Sequence, residues 1–127
     1  MILICALVLA NTNTAIANES VPAATAEEHL DILIAEYFPQ NFKVMKAIAH
    51  CESGGKHRNP DGTLVANAGT ARGAFQLLMR IHAPEMKRLG LDPNNDDDYM
   101  TYVRRLYDAQ GLAPWADSKR CWKHKVA

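Results

Sequence analysis

Glu52, in the stretch "AIAHCESGGKHRNPDG" (47–62), stands directly before a small-residue turn at the end of a helix-like run. A charged acid in the last turn meets the negative end of the helix macrodipole, which makes the position unfavourable for an ionised glutamate. That field, together with burial, raises a carboxyl pKa and retains its proton near neutral pH. A proton held this way suits general-acid work, above all the cleavage of a glycosidic bond, whose leaving oxygen must be protonated. A second carboxylate would separate the mechanisms, a nucleophile about 5 Å from the acid in retaining enzymes or a base farther off in inverting ones. Asp61 and Asp117 are the candidates, and neither sits in a recognisable motif.

Three cysteines and five histidines are the other reactive groups. Residues 1–17, "MILICALVLANTNTAIA", carry an apolar run from Ile2 to Ala10 and then Ala15-Ile16-Ala17, the small-x-small pattern of a signal-peptidase site. A second such pattern is Ala24-Thr25-Ala26, which would extend the segment to residue 26. No Lys or Arg precedes the apolar run, and it is shorter than the roughly twenty residues that cross a bilayer. An export signal predicts a secreted or periplasmic protein with no stable membrane insertion once it is removed. Removal takes Cys5 and leaves Cys51 and Cys121, an even pair that an oxidising compartment joins as a disulfide. A zinc site from His50, Cys51, His57, Cys121 and His124 is the rival. Its spacing is poor, because Cys121-x-x-His124 has no partner motif and adjacent His50 and Cys51 project about 100° apart on a helix. "DPNNDD" from Asp92 resembles a calcium loop only superficially, with Asp97 at position six and Val103 at position twelve. No metal and no cofactor are expected.

At 127 residues the chain holds one domain, and Lys plus Arg (14) balance Asp plus Glu (14), which leaves no field to draw in nucleic acid. The acidic run "NNDDDY" (94–99) suits a helix start, and the basic "KRCWKHK" (119–125) suits a solvated end. Residues 18–25 read as a flexible leader. A first helix over 25–38 has a Thr cap, an apolar face of Leu30, Leu33, Ile34 and Tyr37, and a stop at Pro39. A second, capped by Asn41, aligns Phe42, Met45, Ile48 and Ala49. Glu52 continues that stripe, so its carboxyl should face inward at the mouth of the core, with Gly54-Gly55 ending the helix. A loop with a short hairpin follows from 54 to 73, then helical pieces over 73–90 interrupted before Pro84. A last long helix spans Asp96 to Gln110, with Tyr99, Val103, Leu106 and Gln110 on one face and Gly111 as its stop.

Glu52-Ser53, followed after a loop by Gly73-Ala74-Phe75-Gln76-Leu77, resembles the lysozyme-like superfamily, in particular lytic transglycosylases and goose-type lysozymes. "APWADSKRCW" (113–122) is similar to the Trp-x-x-Ser-x-x-Cys-Trp ending of small secreted or phage-borne members. The likeness runs from about residue 40 to 122, although the loop before Gln76 is longer than usual and the Ala-Tyr-Asn segment of many transglycosylases is missing. It implies a mainly α, lysozyme-like domain over 26–127, with a short irregular or β-hairpin loop after the catalytic helix. It also implies cleavage of the MurNAc-β-1,4-GlcNAc linkage of peptidoglycan by Glu52, with Gln76 beside it in the cleft. In the transglycosylase route Glu52 acts as acid and then as base, and the sugar's own hydroxyl forms a 1,6-anhydro ring. Glycans also need neutral hydrogen-bonding groups and flat apolar faces. Ser53 and Gln76 can supply the first and Trp115 the second, while Tyr102 and Tyr107 read as core. The expected partner is a peptidoglycan glycan strand, met by a monomer at the cell wall. The alternative is an inactive wall-binding module of the same fold.

Overall fold

Thr25 opens the first helix, α1 (Ala26–Tyr37), with a reciprocal cap: its hydroxyl accepts from the Glu28 N–H, and the Glu28 carboxylate accepts from the Thr25 N–H. The computed structural model describes residues 22–126, so the signal reading of 1–17, and 18–21 of the expected leader, lie outside the described residues. The second cleavage pattern, Ala24-Thr25-Ala26, falls on the cap of α1. α1 buries Leu30, Leu33 and Ile34 and ends at Phe38, before Pro39.

α2 (Phe42–Ser53) buries Met45, Ala47, Ile48 and Ala49 and stops on left-handed Gly54. Asn41 occupies its cap position without a side-chain bond, because its ψ of 20° leaves the extended conformation from which a cap side chain reaches the first turn. The "NPDG" turn is closed by a bridge between Arg58 and Leu64. Regular pairing lies further on: β1 (Ala71–Arg72) runs antiparallel to β2 (Leu77–Leu78), with Ala71 opposite Leu78. Gly73 to Gln76, expected to begin a helical piece, instead form the turn of this hairpin.

α3 (Met79–Arg88) runs through Pro84, where the sequence predicted a break. Pro84 and Arg80, whose carbonyl would have accepted the missing bond, are both exposed, and buried Met86 anchors the helix beyond them. α4 (Asp96–Gln110) has the expected bounds, with the Asn95 side chain accepting from the Asp98 N–H. A 3-10 helix (Ala113–Ser118) leads into α5 (Lys119–Lys125). The basic segment expected as a solvated end is therefore a helix, because Trp122 is buried in the core and α5 packs on α2. α4 lies across α1, and Phe38, Ile48, Phe75, Tyr99 and Val103 fill the space between the elements. The domain is mainly helical with one small sheet. Among the described residues no helix is long and apolar enough to cross a membrane.

Gly73 fixes the hairpin turn at φ 80°, and a Cβ there would sit 2.6 Å from the Tyr99 ring. Tyr99 is fully buried, and its hydroxyl is held by Arg72 O and the Phe75 N–H. Gly73→Ala should therefore cost about 2 kcal/mol or more, from left-handed strain and overpacking together. Urea unfolding measures this, and an unchanged midpoint would mean the ring yields freely.

Candidate active site

The last turn of α2 carries Cys51 and Glu52, and Cys51 is joined to Cys121 of α5 by a disulfide, with Cα atoms 6.0 Å apart. Both sulfurs are thus committed to each other, which takes the thiolates away from the zinc alternative. The bridge draws the 3-10 helix over the end of α2. There the Ser118 hydroxyl donates to Glu52 Oε1 at 2.7 Å, and it also lies 3.2 Å from the Trp115 carbonyl.

Glu52 is half-buried at the wall of an open cavity of about 460 Å3. Burial pushes its pKa above the usual carboxylate range, the Ser118 bond offsets part of that rise, and the nearby Asp117 charge adds to it. Asn67, Gln76, His82, Gln110 and Asp117 supply the other polar lining, and Phe75, Leu77, Leu78, Leu106, Pro114 and Trp115 the apolar lining. Among the described residues no Lys or Arg borders this space. A neutral, hydroxyl-rich and partly apolar ligand fits such a lining better than an anion.

Gln76 borders the cavity as expected, but its amide is largely occupied. Nε2 donates to the carbonyls of Val65 (3.1 Å) and Gly73 (2.9 Å), and Oε1 accepts from the Asn67 N–H. The residue adopts a left-handed φ of 48°, and the bonds to three loop positions hold it there. Asn67 in turn donates from Nδ2 to the Glu52 carbonyl at 2.8 Å, so the loop is fastened to the end of α2. From the core side the same turn is held by Tyr99, whose hydroxyl donates to Arg72 O (2.8 Å) and accepts from Phe75 N–H (3.1 Å). His57 Nδ1 accepts from Ala74 N–H at 3.0 Å. Burial lowers the His57 pKa to about 4, so the ring is neutral near neutral pH, and the bond from Ala74 selects the tautomer with its proton on Nε2.

Two expected sugar contacts are placed otherwise. Ser53 is buried, donating its hydroxyl to Ala49 O and accepting from Lys56 N–H, so it finishes the helix end rather than lining the cavity. Trp115 borders the cavity, yet it is only 2% exposed, with its indole N–H donating to Phe75 O and its ring edge-on to Phe75. It offers a ligand an edge of wall rather than a stacking platform. Of the two candidate second carboxylates, Asp117 shares the cavity, whereas exposed Asp61 is tied to Thr63 and does not border it. Tyr102 is core, with its hydroxyl 2.8 Å from His82 Nδ1, and Tyr107 packs edge-on against Phe38.

The bonds that Ser118, Asn67, Tyr99 and His57 make here are not legible in the sequence, where Tyr99 reads only as part of the apolar face of α4 and His57 only as a poorly spaced zinc candidate. Ser118 carries a signal as the serine of "APWADSKRCW", and Asn67 carries none. Comparison of the chain with protein-family models, with curated proteins and with solved structures gives no match.

Proposed function

We propose that this chain is a peptidoglycan-cleaving glycosidase acting on the MurNAc-β-1,4-GlcNAc linkage, secreted or periplasmic and active as a monomer at the cell wall. The observation that carries this reading is Glu52: a half-buried carboxyl, raised in pKa by that burial, at the wall of a cavity lined with apolar side chains, the amides of Asn67, Gln76 and Gln110, and His82 and Asp117. Such a group arrives protonated and can deliver its proton to the glycosidic oxygen as the bond breaks. Once ionised, Glu52 takes the proton from the sugar's own hydroxyl as that oxygen closes a 1,6-anhydro ring, which is the lytic transglycosylase route. A hydrolytic second reading rests on Asp117, which shares the cavity and is able to activate a water instead.

Digestion of purified cell wall with the oxidised protein, followed by mass spectrometry of the released muropeptides, tests the proposal. Anhydro ends, lighter by one water, are expected. Ordinary reducing ends would assign the attack to water and favour the Asp117 reading. Binding to the wall with no soluble product would leave an inactive module of the same architecture.

A further inference from the structure

We propose that Ser118 is a positioning residue for Glu52: it holds Oε1 by its hydroxyl, leaving Oε2 as the oxygen that gives up and regains the transferred proton. The inference rests on the glycosidase reading and goes beyond it by dividing the work between the two oxygens of one carboxyl.

A carboxyl whose two oxygens are equivalent can present its proton on either, and rotation of the group then scatters the direction of delivery. Transfer needs the proton aimed at one acceptor within hydrogen-bond reach. The 2.7 Å contact from Ser118 removes that equivalence, because an oxygen that accepts a donated O–H is the less basic of the pair. Ser118 itself has little freedom. Its hydroxyl lies 3.2 Å from the Trp115 carbonyl, which also accepts the Trp122 indole N–H, and both tryptophans are buried. The disulfide at Cys121, one turn further on, fixes the same segment to the residue beside Glu52.

The bond is stronger to the ionised carboxylate than to the neutral acid, so it favours loss of the proton at the transfer step and opposes the burial that retains it before that step. The other titratable groups facing Glu52 are Asp117 from the 3-10 helix, the buried Tyr99 hydroxyl from α4, and His82 from α3 across the cavity. Asp117 raises the Glu52 pKa; neither tyrosine nor histidine donates a hydrogen bond to it, so Ser118 is the one side-chain donor to this carboxyl among the described residues.

The test uses the full oxidised chain, with Ser118→Ala and Ser118→Thr, and reads two quantities. One is the Glu52 titration midpoint, followed by carboxyl-carbon NMR; the other is the rate of muropeptide release as a function of pH. Ser118→Ala should raise the midpoint, move the alkaline limb of the rate profile upward with it, and lower kcat about tenfold with little change in KM, as the loss of one charge-assisted bond dictates. Ser118→Thr, which keeps the hydroxyl, should restore all three. A merely structural serine moves neither the midpoint nor the limb, so an unshifted midpoint in Ser118→Ala overturns the proposal, as does failure of Ser118→Thr to recover it. If the midpoint behaves as expected and the wild type cleaves no glycan, the clamp stands and the glycosidase reading falls.

Discussion

Glu52→Gln is expected to slow muropeptide release by about a hundred- to ten-thousand-fold, the usual worth of general acid–base assistance, while leaving folding and glycan binding intact. Glutamine keeps the shape of the side chain, and its carbonyl oxygen can still accept the Ser118 hydroxyl; what is lost is the transferable proton. Stability supplies the internal control. Burial raises the folded-state pKa of Glu52 above its unfolded value, so the folded protein holds this proton more tightly and wild-type stability falls as pH rises between the two. The glutamine variant does not titrate. At neutral pH it should therefore be at least as stable as wild type, with the two converging below the ordinary carboxylate range. Thermal unfolding across pH measures this beside the rate. Full activity in the variant would remove Glu52 from the mechanism and most of the functional reading with it.

The second large effect belongs to the disulfide. Cys51 and Cys121 are separated by 70 positions, and closing a loop of that length stabilises the fold by roughly 4 kcal/mol in the chain-entropy model. Cys51→Ala combined with Cys121→Ala should lower the unfolding midpoint accordingly, and reductant should bring the wild type to the same value while leaving the variant unmoved. Activity should fall further than stability explains, because α5 and the 3-10 helix that carries Ser118 lose their tie to α2. Equal midpoints with and without reductant would show that the bridge does not form in solution.

What the sequence discloses and what it conceals divide along physical lines. α1, α2 and α4 were legible because their signals are local. Thr25 and Pro39 bracket the first, Gly54 stops the second, and the run from Asn95 to Asp98 caps the third, each with an apolar stripe between. The inward position of Glu52 followed from the stripe on α2 alone. The β1–β2 hairpin was not legible, since strands of two residues are too short to show alternation and its turn is held by Tyr99 and His57 from other parts of the chain. In the sequence α5 reads as tail because five of its seven residues are basic; burial of the single Trp122 decides the matter, and periodicity cannot reveal one residue. Among the site residues, Glu52 and Asp117 are found by residue type, whereas Gln76 is placed beside Glu52 by the resemblance its segment carries. Ser53 stands beside Glu52 in sequence, yet neighbours on a helix point in different directions, and its hydroxyl turns back onto the Ala49 carbonyl at the end of α2 while Ser118 comes across to meet the acid.

Glu52 and Ser118 are 66 positions apart, and α5, which packs on α2, is made after every element from α1 to α4. Contacts of such long range form late, once the intervening chain has been synthesised and can fold back. A nascent chain that has reached only the end of α4 has its acid and most of the cavity lining, but not Pro114, Trp115, Asp117 or the Ser118 hydroxyl. The pairing of Glu52 with Ser118 is therefore completed only after the 3-10 helix has been made and α5 has packed back on α2.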